Sequence, residues 1–223
     1  MKFKKLTVYS DNIKEQLKFY RDELDFEVRN YSENSFELVL GYSILRFEFK
    51  ENANPYHIAL HIPDRQEEEA LAWVESKMAA LEYNKEKIID FSNWQAMSVY
   101  FYDKDKNIME FISRREFSKP ESAIFNPSHI VGIAEIGLVT DNVKRKFEQL
   151  YLECDLHKFD GDYERFCAIG EPSGLLITIN NQLKDWFPTN DKAYMSPFKL
   201  EFEHKKQKYN LSFSDNQLEI SKI

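Results

Sequence analysis

The chain has 223 residues, enough for one large domain or two small ones, and its 43% hydrophobic and 30% charged residues are those of an ordinary folded protein. A formal charge of −8 provides no basic stripe to displace counterions from phosphates, which excludes nucleic acid and an anionic membrane surface as partners. No apolar run approaches the roughly 20 residues of a membrane-spanning helix. MKFKKLTVYS has no apolar signal core, so a cytoplasmic protein is expected. Cys154 and Cys167 lack CxxC spacing and a neighbouring base, and read as reduced, unreactive thiols.

The first element is a strand at 3–9, with Leu6 and Val8 on one face and Lys5, Thr7 and Tyr9 on the other. Asn12, with Glu15 three residues later, has the form of a capping box, and Ile13, Leu17, Tyr20 and Leu24 follow at helical spacing. Strand-like runs at 26–31, 35–40 and 43–49 come next, separated by polar turns. The same order then repeats. A strand at 56–62 leads to a helix start at Pro63-Asp64 with an inner stripe of Ala70, Val74 and Leu81. Strands follow at 87–91, 97–102 and 107–113, the last two joined by DKDKN. Residues 116–130, with two prolines and little periodicity, read as a linker.

A third copy begins at 133, where IGLVTDN echoes LTVYSDN. A helix with Val143, Phe147 and Leu150 follows, then strands at 155–159, 164–169 and 174–180. After DWFPTNDKAYMSP come strands at 197–203, 207–213 and 217–222 with no helix, a degenerate fourth copy. A repeat of this size limits the fold to modular architectures. The predicted class is α+β: βαβββ modules forming curved mixed sheets with helices outside, the last module degenerate. The expected division is a domain at 1–115, the linker at 116–130 and a second domain at 131–223.

The strand–helix–three-strand order resembles the vicinal oxygen chelate superfamily, which includes glyoxalase I, fosfomycin- and bleomycin-resistance proteins and extradiol dioxygenases. FYRDELDF at 19–26 is similar to that superfamily's first-helix exit, and DKDKNIMEF to the approach to its last strand, although Asp25 and Lys106 stand where relatives often have glycine. The resemblance implies a cup formed by two modules, with a small molecule inside. It also implies metal ligands at the first residue of the first strand, the first residue of the repeated strand and the last strand's carboxylate. Those positions are Lys5, His57 and Glu110. His57 and His61 lie roughly 13 Å apart on a strand and cannot share a metal.

A charged lysine has only donors and cannot ligate. Three readings of Lys5 stand: its ammonium replaces the cation beside Glu110 and His57; a metal binds through His57 and Glu110 with Lys5 swung away; or a desolvated Lys5 acts as base or Schiff-base amine. His57 and Glu110 are thus the candidate ligands for none or one divalent metal (iron, manganese, zinc or nickel). Lys5, Tyr9 and His61 are the candidate catalytic groups. Thr7, Trp94, Met97, Tyr100 and Phe101 are the candidate substrate contacts. Glu135 matches the first-strand position in the third copy, but the missing fourth helix and the lack of a histidine at the matching place in KLEFEH, near Lys199 or Glu201, make the second half a structural or dimer-like partner sheet. DWFP reads as a plug at a core edge or a lid over a cup. Two functions compete. One is metal-free binding of an apolar or aromatic molecule, with the metal site impaired by Lys5. The other is metal-dependent dioxygenase, lyase or isomerase chemistry on His57 and Glu110. A homodimer is the expected assembly.

Overall fold

The computed structural model describes residues 1–223. The first module comprises β1 (Lys2–Ser10), α1 (Ile13–Lys18), β2 (Val28–Arg29), β3 (Ser35–Leu40) and β4 (Ser43–Phe49). The second is β5 (His57–Ile62), α2 (Glu67–Lys77), β6 (Ile88–Phe91), β7 (Ala96–Tyr102) and β8 (Ile108–Arg114). The third is β9 (Gly132–Thr140), α3 (Val143–Cys154), β10 (Lys158–Gly161), β11 (Phe166–Glu171) and β12 (Gly174–Asn180). The fourth has strands only: β13 (Phe198–His204), β14 (Gln207–Ser214) and β15 (Gln217–Lys222). The α+β class and the curved mixed sheets match the expectation.

Local chemistry places the helices. Asn142 accepts a hydrogen bond from the Arg145 N–H at 3.0 Å and opens α3, whereas Asn12 makes no such cap. α2 begins at Glu67 rather than at Pro63-Asp64, because the Asp64 carboxylate is committed elsewhere. It accepts from Arg115 at 3.1 Å and from the Glu116 N–H at 3.0 Å. Leu81 falls beyond the helix, and the strand expected at 26–31 shrinks to two residues.

The sheets do not join modules in chain order. One has the order β2-β3-β4-β1-β13-β14-β15, uniting the first and fourth modules. The other runs β6-β7-β8-β5-β9-β12-β11-β10, uniting the second and third. Its centre is the antiparallel pair β5–β9, in which Ile58 faces Ile136 and Ala59 faces Glu135. The expected division at 116–130 therefore does not follow the sheets, each of which draws strands from both sides of that segment. A single cluster of 43 buried residues takes side chains from both sheets and all three helices, so the two sheets share one core. Ser43 stitches them together: its hydroxyl donates to the Phe3 carbonyl at 2.7 Å and accepts from the Ile133 N–H at 3.0 Å.

Candidate functional site: a cup between the second and third modules

Period-two alternation gives the second sheet an inner face. On β5 the residues Ile58, Leu60 and Ile62 enter the shared core, which turns His57 and Ala59 the other way. On β8, Met109 and Phe111 enter the core and Glu110 faces inward, as expected. His57 and Glu110, together with residues of β7, β9 and β12, line a cavity of about 620 Å³, well within the range of small-molecule sites.

The cavity floor is polar. His57 Nε2 lies 2.9 Å from Glu110 Oε2, and Ser98 Oγ donates to Glu110 Oε1 at 2.5 Å. Glu135, from β9, accepts from Arg114 Nη2 at 2.6 Å. These side chains are all at least nine-tenths buried. Burial and the Glu110 charge push the Glu135 carboxyl up, against the pull of Arg114. Burial, followed by the charges of Glu110 and Glu135, pushes the Tyr100 phenol well above its ordinary value. The walls are aromatic. Trp186 lies over His57 with ring centroids 5.0 Å apart, and Phe187 meets Tyr100 edge to face at 5.9 Å. Trp94 donates its indole N–H to Asp160 at 2.5 Å, stacks on Phe166 and carries the Arg114 guanidinium over its face at 5.6 Å.

Of the expected site residues, His57, Glu110, Trp94 and Tyr100 come together here. The others do not. Lys5 lies in the other sheet, where its ammonium donates to Glu37 at 2.7 Å, so it neither pairs with Glu110 nor displaces a cation from it. The reason is topological: β1 pairs with β4 and β13, whereas β5 pairs with β8 and β9. Thr7 and Tyr9 sit on that same β1. Thr7 lines a separate polar hollow with Lys5, while Tyr9 donates its backbone N–H to the Tyr56 hydroxyl at 3.1 Å. His61 is sealed under Phe117, with ring centroids 4.2 Å apart, and does not line the cavity. On β7 the inward residues are Ser98 and Tyr100. Phe101 packs on Phe111 at 5.0 Å in the shared core, and Met97 is only half-buried outside the cup.

The second half is not a bystander, since the third module and the loop at 184–187 supply nearly half of the cup's lining residues. Glu135 was visible in the sequence as the counterpart of Lys5. Arg114, Gly137 and Lys184 carried no signal. DWFP forms both a plug and a wall, with Trp186 buried against Gly137 and His57. Both cysteines are buried, which pushes their thiols up to about 12 and agrees with the inert reading.

The residues present do not fit a resident catalytic metal. Such a site needs three protein donors converging on one point with a position left open, and no group of three such donors converges. His57 and Glu110 are bonded to each other, Glu135 is engaged by a guanidinium, and His57 Nδ1 lacks the second partner that orients a ligating imidazole. The strand pairings put Ile177 at the position in the third module that Glu110 occupies in the second, so the fourth place offers no donor.

No protein-family model matches the sequence, and no curated protein does. Solved structures do match. A candidate dioxygenase from Bacillus subtilis aligns over 100% of this chain and 84% of its own, with 13% identity and a TM-score of 0.58. An integron cassette protein from the mobile metagenome of a Halifax Harbour sewage outfall aligns over 50% of this chain and 97% of its own, with 20% identity and a TM-score of 0.44. A lactoylglutathione lyase from Agrobacterium tumefaciens covers 49% and 91% respectively, with 17% identity and a TM-score of 0.41. The full-length match shows that the chain takes the fold of the glyoxalase, bleomycin-resistance and dioxygenase proteins, the vicinal oxygen chelate fold. No helix is long and apolar enough to cross a membrane.

Proposed function

We propose that the protein binds a small apolar or aromatic molecule in the cup between its second and third modules, without a resident metal. One observation carries the reading: an aromatic-walled cavity of about 620 Å³ whose imidazole and carboxylates are already engaged with neighbouring side chains. Aromatic walls supply contact area at little entropic cost, and a few buried polar groups fix orientation. Fold alone assigns no chemistry.

Two measurements test this. A ligand screen by thermal shift on the full chain should find planar aromatic compounds that raise the melting temperature, as any ligand confined to the native state must, with no effect of chelators. Metal content should be measured after loading in turn with iron, manganese, zinc and nickel, then desalting. About one equivalent retained by the wild type and lost in Glu110→Gln would overturn the metal-free reading in favour of metal-dependent chemistry on His57 and Glu110.

A further inference from the structure

The hydrogen-bond inventory of the floor is one-sided. Glu110, as a carboxylate, only accepts, so the hydrogen between it and His57 sits on Nε2. In the Nε2–H tautomer Nδ1 is a bare acceptor. It is buried without a partner, in a side chain more than nine-tenths buried that lines the cavity. Arg114 satisfies one oxygen of Glu135 and makes no bond to Glu110. Asp90 and Asp160 stand at the mouth, with Lys184 the single ammonium facing the cavity. Negative charge is thus in excess: Glu110, Glu135, Asp90 and Asp160 stand against Arg114 and Lys184. Around it stand Trp94, Trp186, Tyr100 and Phe187, rings whose faces attract cations. The Arg114 guanidinium over Trp94 already uses one of them this way.

We propose that the cup recognises an organic cation, a flat aromatic body bearing a protonated amine whose N–H groups reach the free acceptors of His57 and Glu135. The inference rests on the cup being a ligand site. A neutral hydrocarbon would leave Nδ1 unsatisfied, and an anion would meet four carboxylates with only Lys184 to oppose them. An ammonium supplies only donors and the missing charge.

Three probes of matched shape separate the possibilities: 1-naphthylmethylammonium, 1-naphthylmethanol and 1-naphthoate, titrated into the full-length protein at pH 7 by calorimetry and by tryptophan emission. The expected result is at least tenfold tighter binding of the ammonium than of the alcohol, with the naphthoate weakest. Glu110→Gln and Glu135→Gln, each checked for native circular dichroism, should each narrow that preference severalfold, and Asp90→Asn at the exposed mouth provides a variant that leaves the floor intact. Equal affinities, or a tighter naphthoate, would overturn the cation while leaving the cup as an aromatic-binding site. A preference that survives all three variants would place the cation elsewhere and overturn the inference too. No binding of any probe would remove both the cup reading and the inference.

Discussion

Gly137 holds the cup's shape by having no side chain. A Cβ there would lie 2.6 Å from the Trp186 indole and 3.5 Å from the His57 Cβ, so the indole occupies the space a side chain would fill. Gly137→Ala should push Trp186 off His57, at a cost of about 1–3 kcal/mol from overpacking. The expected readout is a shifted tryptophan emission maximum and weakened ligand binding in a protein that still folds; unchanged emission would mean that the indole does not pack there. Arg114 is the second such residue. It is about 2% exposed and carries the only guanidinium bonded to Glu135. Arg114→Met should cost about 3–5 kcal/mol, because it strands a buried charge, and adding Glu135→Leu should recover most of that. Urea denaturation of the single and double variants measures the coupling, and simple additivity would deny it.

At the scale of elements, the turn between β7 and β8 does more than reverse the chain. Asp103 accepts hydrogen bonds from Gln16 Nε2 and the Tyr20 hydroxyl, both at 2.9 Å, and from Asn107 Nδ2 at 2.7 Å. Asn107 in turn accepts the Tyr56 N–H at 2.7 Å. The first module's helical segment is thus fastened to the second module's turn across the shared core. Asp103→Ala should cost about 2–4 kcal/mol, since it orphans several buried donors, whereas Lys104→Ala, which breaks a surface pair with Glu23 and a cation–π contact on Phe19, should cost about 1 kcal/mol or less. Comparable losses in the two variants, by thermal or urea unfolding, would sink this role. The hairpin itself was legible from DKDKN, because turn chemistry is local. Its partners Gln16 and Tyr20 were not, because a hydrogen bond between modules leaves no periodic trace. On β7 the extent is legible too, and alternation itself separates Met97 and Phe101 from Tyr100, sending Phe101 to the core.

At the scale of the molecule, strand positions and the inward set of β8 were readable from hydrophobic period, while the pairing of modules was not. Nothing in the alternation of β5 tells whether its free edge meets β1 or β9, since that choice is made by contacts between distant segments. An expected pairing of neighbouring modules puts Lys5 beside His57, whereas the β5–β9 pairing puts Glu135 there. The observed arrangement also sets the acid response. His61, fully buried with neither ring nitrogen partnered, is pushed down to about 3 by burial and then by the Arg114 charge. The unfolded chain takes up a proton near 6.5 that the folded chain refuses, so stability present above that pH is lost as pH falls towards 3, at up to about 1.4 kcal/mol per pH unit. Glu37 adds a loss at lower pH: burial opposes it, but hydrogen bonds from Lys5, Asn30 and Arg46 hold its carboxyl down to about 2. Glu135, whose carboxyl is raised, works in the opposite sense and adds stability as pH falls through its folded pKa. His61→Leu removes one of these contributions alone. The difference between variant and wild-type unfolding free energies should be flat above pH 7 and grow in favour of the variant from pH 6.5 down towards 3. Parallel curves across that window would show that His61 takes up its proton in the folded protein.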